Sequence, residues 1–283
     1  MNMILETARE AFSLIRTYPV IILPGIIIGI LSFLEMVLTF SIDAFYADFL
    51  RVFQVFLIPF LIAGVYGVIK KRDPGFIGFF EEGVRYYFRV LMPTILILFV
   101  VLITTFLVLI PLAILGLAED MSISLVVLLG VLLSIGMFTF FYDTAAVFED
   151  RKVFDSILRS VSVVSGRFIP CLLFYLLLVG LIILIFLGAT MVLSLLLSGP
   201  LEPLLQMSQA ELELLTPSDI LSLIGEEGIL VMSMVYIIAL GLFATLLYPL
   251  KAAFFLRITR EFEEPTVILP QGEYDDKGRY YKY

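Results

Sequence analysis

Residues 90–117 read VLMPTILILFVVLITTFLVLIPLAILGL, 28 positions without a charge. As a helix this run is about 42 Å long, more than the roughly 30 Å of a bilayer's hydrocarbon core. Arg85 and Arg89 stand just before it, and Glu119 and Asp120 just after. One end therefore meets a basic side and the other an acidic one. Five further runs read the same way: 19–40, 51–69, 123–148, 168–198 and 229–256. The third and fifth runs exceed the span needed and are expected to tilt or extend past the interface.

The whole chain agrees. Apolar residues make up 61% of it and charged ones 16%, with mean hydropathy +1.10. A soluble domain is nearer 45–50% apolar and 25% charged. The first run is expected to be retained rather than cleaved, because it is longer than a secretory core and lacks a small-residue exit.

With six spans, 17 of the 18 Lys and Arg residues fall on one side, and only Arg51 lies opposite. The opposite segments hold ten acidic residues. By the positive-inside rule both termini are expected in the cytoplasm, which places the chain in the cell membrane as a multi-pass protein. The net charge of −8 is segregated by side, so it points to no acidic or nucleic-acid ligand.

Each outward span is approached by an amphipathic stretch. In 3–17, Ile4, Leu5, Ala8, Ala11, Phe12 and Ile15 share an arc opposite Glu6, Arg9, Glu10, Ser13 and Arg16. In 74–90, Phe76, Phe79, Phe80, Tyr87 and Val90 oppose Glu81, Glu82, Arg85 and Arg89. In 152–168, Val153, Ile157, Val161, Val164 and Phe168 oppose Asp155, Arg159, Gly166 and Arg167. Such patterning predicts helices at the membrane interface. The three returning spans each carry two adjacent small residues: Ala63-Gly64, Ala145-Ala146 and Ala252-Ala253. Small residues let helices approach closely in lipid.

The reading is therefore an all-α fold. Six transmembrane helices form three hairpins, each preceded by a cytoplasmic interfacial helix. The membrane domain covers 1–264, with a pseudo-repeat over 1–72, 73–150 and 151–264. A polar, flexible tail follows at 265–283. In the outer loop 199–228, short helices are expected over 204–215 and 220–224, the second opened by Thr216 and Pro217.

Arg159-Ser160, followed by Gly166-Arg167-Phe168 at the head of a long apolar run, resembles a segment of a broad prokaryotic group of six-span proteins of unknown function. That group includes the membrane domain fused to some glycerophosphoryl diester phosphodiesterases. The amphipathic approach at 75–89 extends the similarity over most of 1–260. Val161 stands where relatives often show Trp, and Ser165 where they show a second basic residue. The resemblance implies architecture and transfers no catalytic residue.

Ionisable residues inside spans are costly, about 2.5–3.5 kcal/mol each at mid-bilayer on insertion scales. Asp143 and Lys251 lie about 9 Å inside the cytoplasmic ends of spans four and six. Their equal depth suggests an ion pair, acting as a tether or as a proton or substrate site. Otherwise Lys251 snorkels to the interface and Asp143 meets cytoplasmic water. Glu35 near the outer end of span one would pair with Arg51, together with Gln54. Pro59 and Pro249 are expected to kink their spans.

Enzyme signatures are missing: no His, no phosphate-cradling glycine loop, and one Cys, Cys171, among apolar neighbours. No catalytic residue, metal site or cofactor is expected. The sequence favours a non-enzymatic membrane-organising or scaffold protein. Its expected contacts are membrane lipids and a protein partner at the cytoplasmic face, with no nucleic acid. Arg85, Arg89, Arg159 and Arg167 are the candidate headgroup contacts, each contributing about 1 kcal/mol. The alternative is a transporter of a small or lipid-like solute using a polar site near Asp143 and Lys251.

Overall fold

In the computed structural model, residues 2–42, 44–117, 121–207, 217–263, 272–274 and 280–282 are described. Six helical segments among them are long and apolar enough to cross a membrane: Pro19–Phe40, Ala44–Lys71, Phe76–Ile114, Ser122–Phe148, Phe168–Leu196 and Leu221–Arg260. The chain is a multi-pass membrane protein.

The helices run in order as α1 (Asn2–Thr17), α2 (Leu23–Val37), α3 (Ala44–Lys71), α4 (Phe76–Ile114), α5 (Met121–Thr139) and α6 (Tyr142–Phe148). They continue as α7 (Val153–Gly166), α8 (Phe168–Leu196), α9 (Ser198–Gln206) and α10 (Pro217–Glu263). Short antiparallel strands at Gly272–Tyr274 and Tyr280–Lys282 pair in the tail. The end of the bundle that carries the lysines and arginines is called here the basic end.

Of the three amphipathic stretches, α1 and α7 are separate helices. The chain leaves α1 at Tyr18-Pro19 and α7 at Arg167. The stretch 76–90 differs: it is the first part of α4, continuous with span three through Pro93. Its buried face also differs from the arc drawn from hydropathy. Phe79, Glu82, Gly83, Tyr86 and Val90 are covered, whereas Phe76, Ile77, Phe80 and Val84 are exposed. Glu82 is covered because Gly67 of α3 has no Cβ, leaving room for the glutamate's own Cβ.

Span four is not one helix. It breaks between Thr139 and Tyr142, leaving α6 as a half-helix at the basic end. Span six bends near its start, where Gly225 has φ 67° and ψ −176°, a conformation open essentially to glycine alone. Pro217–Ile224 is therefore a short helix of its own, close to the expected 220–224. The expected helix over 204–215 corresponds in part to α9, and residues 208–216 lie outside those described. Pro59 and Pro249 are accommodated within α3 and α10.

The closest helix packing joins α2 to α10. A Cβ on Gly29 would stand 2.8 Å from the Ile237 carbonyl oxygen, and one on Gly241 2.9 Å from that of Gly25. These backbones touch, as a small-xxx-small pair in lipid allows. At the basic end α3, α6 and α10 converge, and all six residues of the Ala-Gly and Ala-Ala pairs are buried there. Away from that end the bundle opens: Leu102, Phe106 and Ile110 of α4 and Leu125, Leu129 and Leu132 of α5 are exposed, as side chains facing lipid would be.

Candidate functional site

The convergence of α3, α6 and α10 encloses a polar group. Lys251 Nζ donates to Asp143 Oδ2 at 2.7 Å across 108 residues. Both side chains are inside the protein, 8% and 3% exposed. The structure thus brings together the two charges that the sequence placed at equal depth. The break in span four does the positioning. It frees the backbone at 138–141 and starts a new helix at Tyr142, so Asp143 sits in the first turn of α6. There Asp143 Oδ1 accepts the Thr144 N–H at 2.7 Å. Lys251 also lies over the Phe140 ring, 4.3 Å from its centroid, a favourable position for a cation.

The break is held open by a side chain from α7. Ser160 Oγ accepts the Phe141 N–H at 2.9 Å and donates to the Phe138 carbonyl at 2.8 Å. One hydroxyl so satisfies a donor and an acceptor that a helix would have paired internally. Its neighbour Arg159 grips Glu149 with Nε and Nη2, at 2.8–2.9 Å. The Arg-Ser pair that carried the family resemblance is therefore the clasp between α7 and the half-helix α6.

Three tyrosines surround the pair. Tyr142 Oη and Thr94 Oγ1 are 2.8 Å apart. Tyr66 and Tyr248 meet edge to face, with ring centroids 6.4 Å apart. Among the described residues the buried Tyr66 hydroxyl has no hydrogen-bond partner.

Ion pairs cross between elements all round the basic end. Arg257 of α10 donates to Glu6 of α1, and to Glu10 at 2.8 Å. Lys70 of α3 donates to Asp150, to the Val147 carbonyl at 2.8 Å and to Tyr86 Oη at 3.0 Å. Arg89 donates to Asp150 Oδ1 at 3.0 Å. Burial by itself would raise the pKa of Asp150. The hydrogen bonds from Lys70 and Tyr86, with the charges of Lys70 and Arg89, outweigh it and hold the carboxyl below its ordinary value.

The four arginines expected at headgroups are placed differently from one another. Arg85 is well exposed, 3.6 Å from Glu82. Arg89 is half-exposed and engaged by Asp150. Arg159 is largely buried on Glu149, turned inward rather than toward a headgroup layer. Arg167 is partly buried at the junction of α7 and α8. At the opposite end Arg51 Nε donates to Glu35 at 2.7 Å, and Gln54 Nε2 to the same carboxylate at 3.1 Å.

Sequence reading missed the clasp and the close glycine packing. Gly25-x-x-x-Gly29 was there to be seen as a small-xxx-small signal. The role of Ser160 had no local signal, since its partners lie 19 and 22 residues away.

Neither a curated protein nor a solved structure matches the chain. No finding ties it to the phosphodiesterase membrane domain. A family model does match, over residues 3–258, which takes in the first five spans, all but the last two residues of the sixth, and both clasp residues of α7. The chain belongs to the family described as a domain of unknown function, DUF7847.

Proposed function

We propose that this is a non-enzymatic protein that organises membrane lipid, or holds a partner, at its basic end. The observation that carries the reading is the surface there. Leu5 and Phe12 on α1, Phe154 and Leu158 on α7, and Phe76, Ile77 and Phe80 at the start of α4 are all exposed. They share that end with the lysines and arginines. Apolar side chains beside basic ones suit the boundary between headgroups and acyl chains. The cross-element ion pairs make this surface a fixed platform, and the Asp143–Lys251 pair ties two of its supports. With both termini in the cytoplasm, the platform faces the inner leaflet of the cell membrane.

A second reading has its own support. Half-helices and buried charges build sites in transporters, and here a broken span, a charge pair and a tyrosine hydroxyl with no partner among the described residues lie together. Mass spectrometry of the protein extracted in native lipid patches separates the two. A stoichiometric protein partner, or enrichment of anionic lipid, supports the platform. A small solute retained by the native chain and lost in Asp143→Asn overturns it in favour of transport.

A further inference from the structure

A cavity of about 380 Å³ opens at the basic end between α1, the end of α3 and the end of α10. Its polar lining is Arg72, Arg257, Arg260, Glu10, Ser13 and Tyr18. Leu14, Ile69 and Leu256 form part of its apolar wall. We infer that this cavity is a binding site for one phosphodiester anion, of the kind an anionic lipid headgroup carries.

Charge and geometry both lead there. Arg257 is held by Glu6 and Glu10. Among the described residues Arg72 and Arg260 have no ion pair or hydrogen bond through their guanidinium groups, and the Ser13 and Tyr18 hydroxyls have no partner either. Three guanidinium groups against two carboxylates leave one positive charge, which matches a singly charged phosphodiester better than a dianion. Planar guanidinium forks suit phosphate oxygens, and the two hydroxyls add donors.

Arg72 also occupies an unusual backbone position. It closes α3 with φ 59°, while the Asp73 N–H returns to the Val68 carbonyl at 3.3 Å. This is a helix end that glycine ordinarily supplies. An arginine tolerates the left-handed conformation there at a cost, and the result is a guanidinium aimed at the cavity. Such strain is a pointer to function when an independent site observation accompanies it.

The inference rests on the lipid-organising reading only for the source of the phosphate. The test uses the full-length protein in nanodiscs of phosphatidylcholine with a minor share of phosphatidylglycerol, followed by native mass spectrometry. One phosphatidylglycerol should stay bound to the native chain. Arg72→Gln with Arg260→Gln should weaken retention about twenty-five-fold, since each charge near the surface favours anionic lipid about fivefold. Arg260→Gln alone, which breaks no described contact, guards against misfolding of the double variant and should show the smaller loss. In phosphatidylcholine alone, inorganic phosphate is the competing probe. A melting shift that depends on these arginines, without preference for phosphatidylglycerol, supports the anion site and assigns it to a soluble phosphate. Arginine-independent behaviour in both arms overturns the site. If anionic lipid is still retained then, the lipid-organising reading stands without this cavity.

Discussion

Replacing Lys251 by Met removes one half of a buried pair and keeps nearly the same side-chain length. Among the described residues Asp143 is then left with the Thr144 N–H on one oxygen and no hydrogen bond on the other. Breaking a buried ion pair from one side typically costs about 3–5 kcal/mol. In lipid the unfolded chain also finds partners, which pulls such values down. The insertion cost of an uncompensated aspartate, about 2.5–3.5 kcal/mol, is the better guide. We therefore expect Lys251→Met to lose about 3 kcal/mol, roughly a 150-fold shift in the folding equilibrium. Asp143→Leu should cost less, because Lys251 keeps the Phe140 ring and a long chain can bend toward water. The double variant should recover most of the loss, since an apolar pair in that volume has no charge to desolvate. Reversible unfolding in bicelles, run as a double-mutant cycle, measures this coupling. Additive single costs, or a Lys251→Met variant within about 0.5 kcal/mol of the native protein, would refute the tether.

Ser160→Ala should cost about 2 kcal/mol, because it strands a buried N–H and a part-buried carbonyl at the break in span four. The same unfolding assay reads it, and a loss below about 0.5 kcal/mol would mean that the break satisfies itself. For Asp150 the sign is that of a carboxyl whose folded-state value is depressed. Its contribution is fully present above the ordinary aspartate value near 3.8 and is lost as pH falls through the lower folded value. Melting temperature should therefore drop on acidification through that window, and less steeply in Asp150→Asn. The effect is modest, since Asp150 is half-exposed and its pairs are screened by water and salt. Equal slopes in the two proteins would count against the role given to Asp150.

Much of this fold is a property of local composition. The run at 90–117 and its five counterparts identified themselves because lipid transfer is nearly additive along a helix, and no tertiary contact is needed to make 28 uncharged residues prefer a bilayer. The two-sided distribution of charge followed from counting along the same runs. Depth followed too, which is why Asp143 and Lys251 could be singled out as partners across 108 residues. Hydropathy drew an apolar arc over 74–90 but did not say which face other helices cover. Burial of Glu82 depends on a missing Cβ at Gly67 in another helix.

What needed the tertiary structure were the places where one element completes another. The break in span four exists because Ser160, from the next helix, answers the backbone groups it frees. Arg159 turned inward because Glu149 lies within reach, a fact of packing rather than of amphipathic phase. Arg72, Arg257 and Arg260 surround one cavity only because α3 and α10 end side by side against α1. The sequence alone determined which runs are long and apolar enough to enter the membrane. Tertiary structure decided which of its charges meet, since register between helices is set by long-range contact and steric fit, and neither is written in any single segment.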